Sequence, residues 1–246
     1  MLGRLIWTLY KCTAAFTLLF VSLSQAAESP QDFTGVWLAF ASETAISTRD
    51  ILTPEGATLV ADFTALYPNM VEPASYCVTA GMPATMTSME GYPLEIFHSA
   101  NRLTMVAENQ KQVRRIFLDD RDYPADYPVS RMGHSIGAWE GNTLVINTVG
   151  LAENLIGLMP STETTTIIER VTKITRAQVS AQPSGFITTS PLGDDVLAVN
   201  LTISDPALYA KSQTVTVYYQ RIEDTGLVKF DCSYDLWQQA LKEANQ

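Results

Sequence analysis

His134 is the residue of this chain whose type best suits acid–base chemistry at neutral pH. The chain has two histidines, and an unperturbed imidazole titrates near neutrality. His134 and Asn147 lie on the two arms of a predicted β-hairpin, which makes them diagonal neighbours on one face. His134 could act as a general base, and Asn147 or an inward Arg115 could stabilise negative charge that develops on a substrate. The alternative for His134 is a structural role, with its ring hydrogen-bonded in a core or loop.

The turn of this hairpin predicts its register. Glu140-Gly141-Asn142-Thr143 is typical of a two-residue loop, with Gly-Asn at the positions that favour positive φ. Pairing Glu140 with Thr143 gives two faces, because side chains alternate along a strand. The first face consists of His134, Ile136, Ala138, Glu140, Val145, Asn147 and Val149. The second consists of Ser135, Gly137, Trp139, Leu144, Ile146 and Thr148. The first is mostly aliphatic around its two polar groups, and we expect it to line a pocket.

Two adjacent arginines precede this hairpin. Arg114 and Arg115 lie in a predicted strand, so their side chains point to opposite sides and one of them could face inward. An arginine inside an apolar barrel needs an anionic partner or ligand. We therefore take Arg115 as a catalytic candidate and Arg114 as a substrate-binding candidate. Glu169-Arg170, by contrast, has a pattern common on protein surfaces.

Four further side chains are candidates for contact with a substrate. Tyr123, together with Tyr127, could form an aromatic lid in a loop rich in tyrosine and proline. Asp120 belongs to the charged part of that loop, for which a solvated turn is the alternative. Glu163 precedes a β-branched strand. Trp139 could be a platform for a ligand, and a position in the core is its alternative.

The first 26 residues have the pattern of a secretory signal peptide. Two cations precede an apolar run at 12–23, and Ser24-Gln25-Ala26 offers small residues at a cleavage site. The alternative is an uncleaved anchor, but the run is short for a membrane span. We predict cleavage, one mature domain over 27–246, and a periplasmic or secreted protein with no stable membrane anchor.

Charge limits the partners of the mature chain. Cleavage after Ala26 leaves 14 Lys and Arg residues against 26 Asp and Glu residues, a formal charge of −12. This excess of negative charge disfavours binding to nucleic acid and to anionic lipid. A neutral or cationic small ligand fits it better.

Two cysteines, Cys77 and Cys232, follow the predicted cleavage site. In an oxidising compartment such a pair suggests a disulfide, and two separate buried thiols are the alternative. The sequence has no CxxC and no Cys/His cluster, so a common zinc or redox site is not expected. It also lacks a glycine-rich phosphate loop, a GxSxG elbow and an HExxH motif. Any catalysis is therefore expected to need no cofactor and no metal.

The elements that must position these residues are short strands. Apolar alternation and turn residues predict strands at 32–40, 94–98, 103–107, 112–118, 164–175, 196–204 and 213–221, besides the hairpin. Thr53 and Pro54 predict the start of a short helix, and a terminal helix is predicted at 235–244. This pattern favours an all-β fold, a single antiparallel β-barrel with short peripheral helices, or a sandwich.

The segment 132–145, MGHSIGAWEGNTLV, resembles the signature MGHSxGxWEGxTLVxxTxG of a family of secreted bacterial proteins. Further segments in the order of that family span roughly residues 32–221. The likeness implies a secreted protein. Members often carry histidines where this chain has Tyr123 and Ser161. Gly35-Val36-Trp37 also resembles the GxW of lipocalins, which implies a lipocalin- or calycin-like barrel with a central cavity.

Two functions fit these observations. The first is a cofactor-independent enzyme, an isomerase, cyclase or lyase acting on a small hydrophobic or aromatic molecule, with His134 as its base. The second is a lipocalin-like protein that binds such a molecule without chemistry. The retained His134 and Asn147 favour the first, and the two replaced histidines favour the second. The sequence predicts no oligomeric state.

Overall fold

Nine strands of the described chain close into one barrel in sequence order. The computed structural model describes residues 31–43, 51–65, 79, 81–89, 91–124, 126–155, 159–183, 190–224, 226–228, 235, 238–239 and 242–243. The strands are β1 Gly35–Glu43, β2 Leu94–Ser99, β3 Arg102–Ala107, β4 Gln112–Phe117, β5 His134–Glu140, β6 Thr143–Val149, β7 Thr166–Thr175, β8 Asp195–Ser204 and β9 Gln213–Ile222. Two short α-helices, α1 Pro54–Ala65 and α2 Ala84–Thr87, lie outside the sheet.

The prediction of an all-β barrel with short helices is confirmed, with one difference in strand direction. All neighbouring strands are antiparallel except β4 and β5, which run parallel. Their register pairs Ile116 with Ser135 and Phe117 with Ile136. A chain that leaves β4 must therefore cross back before it enters β5, and residues 118–133 do this. Lipocalins have eight up-and-down strands, so strand number and this parallel pair both distinguish the barrel from theirs.

The register predicted for the hairpin is confirmed. Glu140 pairs with Thr143, and His134 pairs with Val149. The face predicted to line an interior pocket is the outer one, however. Leu144 and Ile146, on the second face, are fully buried. These bulkier side chains fill the barrel, which leaves the face of His134 on the outside.

Large side chains occupy the interior of the barrel where the lipocalin likeness implied a cavity. The buried residues of the main core include Trp37, Leu103, Ile116, Leu144, Ile167, Leu201 and Tyr219. Side chains from opposite strands thus pack against one another across the axis.

The start of α1 follows the predicted capping pattern. The backbone N–H of Gly56 donates to Thr53 Oγ1 over 2.9 Å, and Pro54 is the first helical residue. The N–H of Thr53 donates to the carbonyl of Leu208 over 2.8 Å, which fastens the helix to the loop between β8 and β9. The predicted signal peptide and the residues Cys77 and Cys232 lie outside the described residues, as does half of the predicted terminal helix.

Candidate functional site

An open groove of about 560 Å³ lies on the outer wall of the barrel, along the parallel strands β4 and β5. We call it the seam groove. It is lined by Val113, Arg115, Phe117, Arg121, Asp122, Tyr123, Pro124, Ser130, Arg131, Met132, Gly133, His134, Ser135 and Ile136. Strands β4 and β5 form its floor, and the crossover loop 118–133 forms its wall.

The floor of the seam groove has a polar row and an apolar row. Phe117 pairs with Ile136, and the same register continued two residues back along both strands places Arg115 beside His134. Neighbours on adjacent strands lie roughly 5 Å apart and point to the same side. Alternation along β4 therefore places the aromatic–aliphatic pair Phe117 and Ile136 next to the guanidinium–imidazole pair Arg115 and His134.

In the crossover loop, Arg121 lies over the apolar row, and a carboxylate of the same loop compensates its charge. The guanidinium of Arg121 lies 3.8 Å from the centre of the Phe117 ring. Arg121 also donates to both carboxylate oxygens of Asp119, over 2.7 and 2.5 Å, and these hydrogen bonds lower the pKa of Asp119. The charge of Arg121 is thus compensated within the loop, while its plane stacks on Phe117.

Two tyrosines of the same loop lie over the outer face of the hairpin. The hydroxyl of Tyr123 donates to the carbonyl of Asn147 over 2.7 Å. The ring of Tyr127 packs against His134, with 4.5 Å between ring centres, and the two tyrosine rings are 6.1 Å apart. Burial raises the pKa of Tyr123, which therefore keeps its proton and remains a donor. Both tyrosines therefore pack on the hairpin, and their role as an aromatic lid over a ligand stays a prediction.

His134 is held by the loop through one ring nitrogen. Its Nε2 lies 2.9 Å from the carbonyl oxygen of Pro128. A carbonyl only accepts, so Nε2 carries the proton and Nδ1 has the lone pair in the neutral ring. This contact fixes both the tautomer and the ring orientation.

Glycine is required beside this histidine. Gly150 has φ +67°, and a Cβ there would lie 2.3 Å from the ring of Tyr127. Gly133 has φ +64°, and a Cβ there would lie 2.7 Å from Thr148 Cγ2. A side chain at Gly150 would push Tyr127 away from His134, so these glycines of the motif serve the packing of the loop on the hairpin.

Arg114 points into the barrel, so the inward arginine is not Arg115. Its Nη1 donates to Glu169 Oε1 over 2.9 Å, and its Nη2 donates to Glu169 Oε2. Nη2 also lies 2.8 Å from Thr148 Oγ1 and 3.2 Å from Ser135 Oγ. Glu169 is fully buried, and its interpretation as a surface residue was wrong. Because a carboxylate inside the protein already satisfies Arg114, this arginine is paired within the barrel and is not placed to bind a substrate.

Of the remaining predicted residues, Asn147 shares the outer face with His134, as the confirmed register requires, and the others lie elsewhere. Trp139 is on the inner face but near the other end of β5, and packs against Phe33 at 5.4 Å between ring centres. Asp120 and Glu163 are exposed, in the crossover loop and before β7 respectively. Asn147 is exposed on the outer face and offers its backbone carbonyl to Tyr123.

Sequence reasoning missed the apolar floor and the basic wall of the groove. Val113, Arg115 and Phe117 alternate with Gln112, Arg114 and Ile116 along β4, so the period of two was visible. Once Arg114 is assigned to the interior, Phe117 must lie outside. Arg121 and Arg131 carried no such signal, because their positions depend on the path of the crossover loop.

No family model matches this chain, and no curated protein does either. Among the described residues, no cluster of three or more His, Cys, Asp or Glu side chains could hold a metal ion. Within the same residues, none of the helices is long and apolar enough to cross a membrane.

Proposed function

We propose that this protein binds a small amphipathic molecule in the seam groove. The observation that carries the proposal is the groove itself. Its volume of about 560 Å³ lies within the range of roughly 300–1,000 Å³ typical of small-molecule sites. It combines an apolar floor with a few polar groups, which is the composition that orients a ligand. Export from the cytoplasm, predicted from the first 26 residues, remains a prediction.

The described interior of the barrel supports this choice of site. Its positions hold large aliphatic and aromatic side chains. The polar group at its centre, Arg114, is engaged by Glu169, Ser135 and Thr148. The groups with binding capacity left over, such as Arg115, therefore lie on the outer wall.

Filling the groove is expected to weaken binding. Ile136→Trp places a bulky ring on the floor beside Phe117, and we expect at least about a tenfold loss of affinity, roughly 1.4 kcal/mol. The protein would be incubated with a metabolite extract of its host and examined by native mass spectrometry. Wild type should retain a small molecule that Ile136→Trp does not.

The matched control makes the same change outside the groove. Ile168 lies on the outer face of β7 and is 45% exposed, so Ile168→Trp should retain the ligand as wild type does. Equal retention by wild type and both variants would place binding elsewhere. If wild type retains no small molecule from any extract tested, the proposed function is contradicted.

Catalysis by His134 is a second candidate, favoured by one observation. The hydrogen bond from Nε2 to Pro128 leaves Nδ1 as an acceptor in a ring of fixed orientation, which is the arrangement of a general base. The same contacts also fit a histidine that only anchors the crossover loop. His134→Gln keeps a group that can donate to the carbonyl of Pro128 but removes the base.

The two roles of His134 predict different results for the His134→Gln variant. In the binding function, we expect His134→Gln to retain the same molecule as wild type, with an affinity within about threefold. If His134 is a base, the variant should trap a molecule that wild type releases with an altered structure or mass. Native mass spectrometry of the bound species, with chromatography of the released ones, distinguishes these results.

A further inference from the structure

We infer that the ligand of the seam groove carries an anionic head group on an aromatic or aliphatic body, as in an aryl or alkyl carboxylate. This inference rests on the proposed function and names the ligand class of the same site. The arrangement of charged groups in the groove leads to it. Arg115, Arg121 and Arg131 line the groove together with His134, against a single lining acid, Asp122.

Arg115 provides an uncompensated cation on the floor. Its side chain is exposed, and no ion pair or hydrogen bond joins it to another residue in the described ranges. Arg121 differs, since Asp119 engages its guanidinium at two atoms. Of these two arginines, Arg115 is the one free to bind an anion, and it stands beside His134.

Arg131 provides a second guanidinium, one nitrogen of which lacks a hydrogen-bond partner within the described chain. Its Nη1 is buried, and among the described residues it has no hydrogen-bond partner. A buried donor without a partner destabilises the folded protein, and more so when it is charged. Arg131 also lines the groove, so a turn of this side chain toward an acceptor there would remove that cost, and a carboxylate matches the planar fork of a guanidinium.

The apolar row defines the rest of the ligand. Phe117 and Ile136 lie one alternation step along the strands from Arg115 and His134, a separation of roughly 7 Å. Val113, also on the floor, is 43% exposed. A ligand whose charged and apolar ends are a few bonds apart can therefore contact both rows together.

The net charge of −10 for the whole chain opposes the approach of an anion. That field is spread over the surface and is screened beyond about 10 Å at moderate ionic strength. A contact with the exposed guanidinium of Arg115 acts at hydrogen-bond distance. The overall charge is thus expected to slow association more than it weakens the bound state.

Three probes with one aromatic body test this inference. 2-Naphthoate, 2-naphthalenemethanol and 2-naphthylmethylammonium share the naphthalene ring and differ in the charge of the head group. Their dissociation constants would be measured by isothermal titration calorimetry. We expect naphthoate to bind at least about tenfold more tightly than the alcohol, and the ammonium compound to bind most weakly.

Three variants test whether the preference for naphthoate arises in the seam groove. Arg115→Gln should reduce naphthoate binding about five- to tenfold and leave the alcohol nearly unchanged. Lys211→Gln removes the same charge from an exposed position between β8 and β9, and should change neither. Ile136→Trp should weaken naphthoate and the alcohol together.

The outcomes separate the inference from the proposed function. Equal affinity for the three probes, or tightest binding of the ammonium compound, overturns the anionic ligand while groove binding stands. The same holds if naphthoate fails to bind but wild type retains a molecule from the extract that Ile136→Trp does not. A preference for naphthoate that survives in Arg115→Gln also overturns it. The proposed function falls only if the extract experiment is negative as well.

Discussion

Replacing Glu169 with alanine is expected to lower the free energy of unfolding by about 3–5 kcal/mol. Glu169 is 0% exposed, and its partner Arg114 is 1% exposed. Removing the carboxylate leaves a guanidinium charge inside the barrel with only the hydroxyls of Ser135 and Thr148 as partners. Such a charge cannot be neutralised by losing its proton, because arginine stays charged in proteins. Equilibrium unfolding in urea, monitored by tryptophan fluorescence, measures the loss.

Two further variants show whether the loss comes from the unpaired charge. Glu163→Ala removes an acid from an exposed position before β7 and should change the free energy of unfolding by less than about 0.5 kcal/mol. The double variant Arg114→Met with Glu169→Leu removes both charges, and we expect it to recover most of the stability lost in Glu169→Ala. A double variant as unstable as the single one would show that hydrogen bonds across the network matter more than the charge.

The same network explains how the floor of the groove is held in place. Arg114 on β4 contacts Ser135 on β5, Thr148 on β6 and Glu169 on β7. The parallel seam between β4 and β5 has two register pairs, fewer than any other junction in the barrel. Arg114 comes directly before the groove residue Arg115 in β4, and Ser135 comes directly after the groove residue His134 in β5. The buried ion pair therefore fixes the strands from which the outer polar row projects.

The hairpin register could be predicted from sequence, and the choice of its inner face could not. A two-residue Gly-Asn turn fixes the register through local backbone conformation. Both faces carry apolar side chains, so periodicity alone gave no decision. A stronger signal was present in β7, where Glu169 lies between Ile167 and Val171 on a buried face. An interior glutamate requires a cation, and Arg114 was the available partner.

Sequence patterns could not predict that β4 and β5 pair in parallel. Parallel strands need a connection of about a dozen residues or more, and residues 118–133 are long enough. Residues 150–165 are equally long, yet they join β6 to β7 in antiparallel fashion. Loop length thus permits a crossover without requiring one. The seam groove depends on that crossover, which is why its residues were identified only in part.

Asp205 is expected to make a pH-dependent contribution to stability. Its buried carboxylate accepts hydrogen bonds from Thr162 Oγ1 over 2.7 Å and Thr165 Oγ1 over 2.5 Å, and from the N–H groups of Ala207 and Leu208. Burial raises the pKa of Asp205, but these hydrogen bonds outweigh it and the pKa is lowered. In Asp205→Asn an amide meets the same donors. We therefore expect a loss of about 2–3 kcal/mol in the free energy of unfolding at neutral pH.

The sign of the pH effect follows from this lowered pKa. The folded protein holds the Asp205 proton less tightly than the unfolded chain, so the carboxylate contributes its full stability above the unfolded value of about 3.9. That contribution is lost as the pH falls through the folded value.

Other carboxylates with lowered pKa, such as Asp32 and Glu43, also weaken wild type in acid. The informative quantity is therefore the difference between wild type and Asp205→Asn, measured in urea at neutral pH and at about pH 3. We expect the difference to shrink in acid, and a constant difference would contradict the assignment. Because Leu208 also accepts the hydrogen bond from Thr53, loss of Asp205 should expose helix α1 to faster amide exchange as well.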